Sequence, residues 1–207
     1  MLKLKYFLQQ SWLLLVSSFF FGLLIAVTNA ALSGRIEQNK AAKLNELTKV
    51  LLPDAERFQP VEADIEVELP NGSKEKARVF EALSSDAQRV GWSFNARGTG
   101  FAGPVELVVA VDKDFQKIMG FNVLASSETP GFGDQIKTDY YRNQFVNAPA
   151  ERLTLTKTGD PAAADAQIVA ITGATVSSQA VVDIMNTFVT RIKDQMREKG
   201  LIGNVTQ

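Results

Sequence analysis

Four hydroxyls gather near the C-terminal end of the chain, in Thr172-Gly173-Ala174-Thr175-Val176-Ser177-Ser178, where a β-type run stops and a long periodic segment starts. Ser and Thr accept hydrogen bonds from the orphan amides of a helix start, so one reading is ordinary N-capping. The other is an anionic group held by those amides and the positive end of the helix dipole, with Gly173 and Ala174 small enough to allow close approach; a phosphate is the natural anion. A second motif, Gly98-Thr99-Gly100-Phe101-Ala102-Gly103, has the form GxGxxG. Pro104 and a β-rich run follow it where a dinucleotide-binding unit has a helix, which rejects the Rossmann reading. It leaves either a glycine loop that lets backbone approach a ligand or a bulged hairpin connection. The third motif is Glu128-Thr129-Pro130-Gly131-Phe132-Gly133, in which Pro fixes one φ and two glycines permit left-handed geometry. It reads as a Pro-Gly turn with a satellite core aromatic, or as a loop that lays Phe132 on a flat ring.

What the chain lacks narrows the chemistry further. Its 207 residues contain no His and no Cys. Nucleophilic triads, tetrahedral zinc sites of N and S ligands, Cys-held iron–sulfur clusters and His-ligated haem are all excluded. Carboxylate or Lys acid/base work, hard cations, a whole organic cofactor or plain binding remain. With 22 Lys and Arg against 23 Asp and Glu, the net charge of −1 gives no field to hold a polyanion, so no nucleic-acid partner is expected.

The elements that must position these motifs begin at a membrane. Ser11 to Leu32 are 22 consecutive residues without a charge, between Lys3 and Lys5 on one side and Arg35 on the other. As a helix this run reaches about 33 Å, enough for a hydrocarbon core of about 30 Å. A cleaved signal peptide is the bland alternative, because Thr28-Asn29-Ala30 resembles a small-residue cleavage site, but the run exceeds an ordinary apolar signal core. Either reading favours export, so the body is expected on the periplasmic or extracytoplasmic side of the inner membrane, on a single-pass anchor.

Past the anchor, Ile36, Leu44, Leu47, Leu51 and Leu52 recur among polar residues up to Pro53, the pattern of an amphipathic helical stalk. IEVELP, Asn71-Gly72 and KARVFEAL read as two strands around a strong hairpin dipeptide, with a third run at Val90 to Ala96. VELVVAV and KIMGFNVLA, joined at Asp112-Lys113-Asp114, read as a central antiparallel pair. Ile136 to Phe145 is helix-like, and strands are expected near Leu153 to Lys157 and Gln167 to Ile171. From Val176 to Lys199, Ala180, Val181, Ile184, Met185, Phe188, Val189, Ile192 and Met196 recur at three and four, and Gly200 supplies the stop. The expected organisation is an anchor over 1–33 with its membrane helix at about 11–32, a stalk over 34–60, and an α+β, mainly antiparallel domain with packed helices over 61–207.

Taken together, the three motifs in this order behind one anchor resemble the FMN-binding domain family that includes the Rnf complex G subunit and the C-type component of the sodium-pumping NADH:quinone reductase. The likeness covers nearly the whole chain. Its most specific part, Thr172 to Ser178, is similar to the family's S/T-G-A-T-x-T/S flavinylation motif, whose last Thr of the tetrad bears FMN through a phosphoester; the matching position is Thr175. The resemblance further implies flavin contacts from Thr172, Gly173, Ala174, Ser177 and Ser178, from Gly100, Phe101 and Gly103, and from Glu128, Thr129, Gly131 and Phe132. Phe101, Phe132, Trp92 and Tyr140 are the candidate apolar walls for the ring. No catalytic side chain and no metal ligand is implied. The family often has a His before E-T-P-G, where this chain has Ser127, and an Asp six residues before the flavinylated Thr, where this chain has Val169.

The implied role is electron transfer within a membrane complex that couples ferredoxin and NAD oxidoreduction to ion transport, with other membrane subunits as partners. A separate flavin transferase using FAD and Mg²⁺ would attach the cofactor. The length, without a large insertion, is closer to the Rnf type than to the quinone reductase type. The alternatives are a C-type component of a quinone reductase or another flavinylated carrier and, outside redox chemistry, an exported membrane-tethered sensor or binding module.

Overall fold

The structure, a computed structural model, describes residues 2–70 and 72–203. Leu2–Leu51 form one uninterrupted helix, α1. Within it Gln10–Ile36 has a mean hydropathy of 2.1 and no buried share, which is long and apolar enough to cross a membrane. The chain divides into two compact units, Met1–Ala42 and Lys43–Gln207.

Within the stretch expected as a helical stalk over 34–60, α1 runs on to Leu51, and the compact second unit starts at Lys43. Pro53, which has no amide to give a helix, follows the end of α1, and Arg57–Pro60 turn into a strand, β1.

The second unit is built on a five-stranded antiparallel sheet in the order β1-β4-β5-β6-β7, with β4 at Val79–Leu83, β5 at Arg89–Thr99, β6 at Pro104–Asp112 and β7 at Ile118–Ser126. The hairpin around Gly72 forms, and Asn71 lies outside the described residues. Its arms are the short strands β2, Glu66–Glu68, and β3, Lys74–Lys76, paired only with each other. The run expected as one strand from Lys76 to Leu83 is thus split: its apolar half, β4, leaves the hairpin to pair with β5, where Val79 and Ala82 are buried.

β6 is buried on both faces, which is why VELVVAV reads as a continuous apolar run and not an alternating one. Val105, Leu107, Val109 and Val111 share one buried core with Val181, Ile184, Met185, Phe188, Val189, Ile192 and Met196 of the helix α3, Thr175–Glu198. On the opposite face Ala110 joins Ala82, Leu51, Leu52 and Ala55. Small residues let the chain at the end of α1 come close there: a Cβ on Gly91 would stand 3.1 Å from Leu52 Cδ2, and one on Gly120 3.1 Å from Leu51 Cδ2. Lys43 Nζ donates to the Leu124 carbonyl at 2.7 Å, and Asn122 Nδ2 to that of Leu47 at 3.2 Å.

Between β7 and the last helix the chain makes two 3₁₀ turns, Gly133–Lys137 and Asn143–Phe145, around a short helix α2, Asp139–Arg142. Phe121, Tyr141 and Phe145 form an edge-to-face cluster that fixes this segment on β7, with centroids 4.8 to 6.4 Å apart. β8, Thr154–Thr156, and β9, Gln167–Val169, pair in parallel, the one exception to the antiparallel plan among the described strands.

Candidate functional site

The hydroxyl cluster lies where β9 gives way to α3. Ile171 ends the approach, Gly173 turns the chain at φ +82°, where a side chain would be strained, and Ala174 is the residue before the helix. Capping by a hydroxyl, one of the two readings of this cluster, does not occur: no side chain caps the start of α3. The amide of Ser178 reaches the Ala174 carbonyl at 2.9 Å, whereas those of Thr175, Val176 and Ser177 have no acceptor among the described residues. Three amides and a dipole end are therefore free, the arrangement that favours an anion.

The four hydroxyls divide into two pairs. Ser178 is buried; its Oγ accepts from the Ile171 amide at 3.1 Å and donates to the Ala174 carbonyl at 3.0 Å. Ser177 is buried and donates to Glu128 Oε2 at 2.5 Å. Thr172 and Thr175 are exposed, with no hydroxyl hydrogen bond among the described residues.

Glu128 draws the other two motifs to this helix start. It is only 5% exposed, and its Oε1 accepts from the Ala102 amide at 3.1 Å. The glycines of both loops fit around it. A Cβ on Gly100 would stand 2.1 Å from Glu128 Oε1 and 2.8 Å from Val105 Cγ2, and one on Gly133 would stand 2.3 Å from Glu128 Oε2 and 2.6 Å from Ser177 Oγ. Gly103 is similarly close to Ser127 Cβ, at 2.8 Å, and Gly98 to Ile184 Cγ1, at 2.5 Å. The close neighbours of the glycines at 98, 100, 103 and 133 are thus protein atoms. The GxGxxG stretch is a hairpin connection between β5 and β6, closed by the Gly100 amide on the Gly103 carbonyl at 2.7 Å.

Two residues that sequence reasoning passed over support the turn from outside. Tyr141 Oη donates to the Ser178 carbonyl at 2.9 Å from a fully buried ring. Burial pushes this phenol above its ordinary pKa, against the smaller opposing effect of that hydrogen bond, so it stays a donor. Gln144 pairs with β9 as a strand would, accepting from the Val169 amide at 2.8 Å and donating to the Val169 carbonyl at 3.2 Å. The four-residue spacing of Tyr141 and Phe145 carried the signal that Tyr141, and not Tyr140, faces inward.

The outer surface of the three loops is open. Phe101 is 70% exposed, Phe132 60% and Val176 57%, and Ala102, Thr129, Pro130, Gly131, Thr172, Gly173 and Thr175 are exposed with them. Phe132 lies against the turn, its Cδ1 4.0 Å from where a Gly173 side chain would begin. Gly131, at φ +79°, gives the Pro-Gly turn its left-handed residue.

Of the candidate walls, Tyr140 is exposed on α2. Trp92 is corrected: it is 1% exposed, opposite Val111, with Nε1 donating to the Lys113 carbonyl at 3.0 Å. Seven residues of extended strand, roughly 23 Å, separate it from Thr99 and the glycine connection. Its indole belongs to the core at the far end of β5.

Residues 100–190 match the family model described as FMN-binding domain. The G subunit of the ion-translocating oxidoreductase complex of Methanosarcina acetivorans is 33% identical over 83% of this chain and 87% of its own. The G subunit of the proton-translocating ferredoxin:NAD(+) oxidoreductase complex of Clostridium ljungdahlii is 30% identical over 81% of this chain and 82% of its own. Among solved structures, Shewanella oneidensis NqrC superposes with a TM-score of 0.52 at 22% identity, covering 70% of this chain and 73% of that one. The corresponding component of the Na(+)-translocating NADH-quinone reductase from Parabacteroides distasonis gives 0.54 at 20% identity, covering 77% and 95%, a likeness of fold. With an FMN-binding domain around its helix-start turn, and with that identity to the Methanosarcina protein over nearly the full length of both, the chain belongs to the family of G subunits of ion-translocating oxidoreductase complexes.

Proposed function

We propose that the chain is the membrane-anchored flavoprotein subunit of an Rnf-type ion-translocating ferredoxin:NAD oxidoreductase, carrying FMN as a phosphoester on Thr175. The reading rests on the family's FMN-binding domain and the names of its relatives, and one observation supports Thr175 in particular. Of the four hydroxyls at the helix start, Ser177 and Ser178 are buried and bonded, while Thr175 is exposed, unbonded and first in α3, on the residue that carries one of the three free amides.

The residues present fit an FMN. The amides of Thr175, Val176 and Ser177 supply donors for the phosphodiester that remains anionic after attachment, and Gly173 leaves space beside it. Phe101, Phe132 and Val176 are exposed apolar side chains against which a flat ring would rest. Attachment joins Thr175 Oγ to the phosphorus of the FMN half of FAD; the pyrophosphate bond breaks, AMP leaves, and the Thr175 hydroxyl proton passes to solvent. Bound there, FMN supplies one- and two-electron transfer, and this chain's task is to hold it, shield it and set its surroundings. A covalent tether replaces a dissociation equilibrium with a fixed local concentration, which suits a domain on the outer side of the membrane, where we place it on its single α1 anchor.

The test is co-expression of the full chain with a flavin transferase, followed by denaturing electrophoresis under ultraviolet light and mass spectrometry. The expected result is a fluorescent band whose mass exceeds the polypeptide by one FMN less water, located on Thr175 by fragmentation of the 158–191 tryptic peptide. A non-fluorescent chain of unmodified mass overturns the reading and leaves the tethered sensor.

A further inference from the structure

The Glu128 side chain is the point at which all three motifs meet. A carboxylate at 5% exposure loses most of its hydration, and within the second unit two donors replace part of it: the Ala102 amide in the β5–β6 connection and the Ser177 hydroxyl in the first turn of α3. Its own amide is bound by Ser126 Oγ at 3.2 Å, so its backbone is held as well. Gly100 and Gly133 leave the space that the two carboxylate oxygens fill. Glycines in a ligand loop ordinarily admit the ligand; these two admit Glu128.

We infer that Glu128 is a positioning residue for flavin attachment: a latch that fixes the start of α3 against both loops and, by engaging the Ser177 hydroxyl, leaves Thr175 as the hydroxyl that is modified. The inference rests on the flavinylation reading above and deepens it. Ser177 stands two residues from Thr175 in the same helical turn. A serine there with a free proton would be a second nucleophile beside the same amides. Bonded to a buried carboxylate at 2.5 Å, it is withdrawn from the surface and its proton is committed. The same bond orients the helix start, so Thr175 is presented from a fixed turn, which lowers the cost of bringing its hydroxyl to the incoming phosphorus.

The experiment is flavinylation of the detergent-solubilised full chain by a flavin transferase with FAD and Mg²⁺, comparing wild type, E128A, E128Q and S177A. The readouts are initial rate and the modified residue, located by fragmentation, with circular dichroism on the same samples. The glutamine is nearly isosteric, and its carbonyl can accept from Ala102 or from Ser177. E128A and S177A are expected to slow modification of Thr175 at least tenfold, and E128A to place part of the flavin on Ser177. E128Q is expected to recover most of the rate and keep the site single.

Wild-type rate and site in a folded E128A overturn the latch, as does an E128Q that is folded yet as slow as E128A, because charge and not position would then matter. If E128A does not fold, S177A decides: tenfold slowing supports the latch and a wild-type rate refutes it. A wild-type chain that takes no flavin refutes the attachment reading itself, which is a separate outcome.

Discussion

Ile171 and Ser178 are tied across the turn that presents Thr175: Ser178 Oγ accepts the Ile171 amide at 3.1 Å and passes its own proton to the Ala174 carbonyl at 3.0 Å. Seven residues apart, the pair closes the loop formed by Thr172, Gly173 and Ala174. Both residues are buried, so water does not substitute for either bond.

Replacing Ser178 with Ala is therefore expected to leave a buried amide without a partner, at a cost of about 1 to 3 kcal/mol. Thermal unfolding of the solubilised chain should shift down by about 2 to 4 °C per kcal/mol. An unchanged midpoint would mean that the turn is held by Tyr141 on the Ser178 carbonyl alone.

The elements of this site were legible where periodicity is strong. The apolar spacing of α3, the continuous run of β6 and the left-handed Gly131 each follow from local chemistry, whereas Gly133, expected to share that geometry, does not adopt it, and at Gly173 the sequence shows a small residue but not its left-handed turn. Glu128 was legible as part of a motif and illegible as a hub, because its partners Ala102 and Ser177 stand 26 and 49 residues away and nothing local announces them. The same reason hid Gln144, which completes a strand edge 25 residues ahead. Trp92 was misplaced because sequence shows that an aromatic lies near a loop in number, not at which end of an eleven-residue strand its ring is buried.

Gly100→Ala should destabilise through its clash with Glu128 and Val105, by about 1 to 3 kcal/mol for an overpacked site. Much of that clash is with one carboxylate, so the penalty is expected to be smaller in an E128A background. A double-mutant cycle by urea unfolding should give a coupling of about 1 kcal/mol or more. Strict additivity would mean that Val105 alone makes position 100 a glycine.

Lys193 contributes a pH-dependent part of the stability. Its ammonium is nearly buried on α3 and donates to the Ala150 carbonyl at 3.0 Å. Burial pulls its pKa below the ordinary 10.5, reinforced by Arg197, while Glu151, Asp112 and Asp194 oppose the shift. With the folded value below the unfolded one, the native chain sheds this proton first as pH rises, and the unfolded chain binds more protons across the window between them. Stability from this group therefore increases with pH up to about 10.5 and is lowest at neutral pH, where the cost of burying the charge is fully present. Burial of the Tyr141 phenol acts in the opposite sense above about pH 10, so the check is a difference: by urea unfolding at several alkaline pH values, wild type should gain stability relative to Lys193→Met as pH rises.

Thr175→Ala should separate chemistry from folding. The Thr175 side chain is exposed and has no hydroxyl hydrogen bond among the described residues, and Ala is at least as good a helix former, so unfolding is expected to move by no more than about 0.5 kcal/mol. The same change removes the one hydroxyl that stands in the first position of α3, so the added mass and the fluorescence should vanish completely. Thr172→Ala, three residues upstream and outside the helix, should retain both. Reversal of the two outcomes, with flavin lost in Thr172→Ala and kept in Thr175→Ala, would move the bond to the other exposed hydroxyl while leaving the amides of α3 as the anion site. Loss in both would mean that Thr172 acts on the attachment of Thr175 without bearing the flavin, a difference that fragmentation of the wild-type peptide resolves directly.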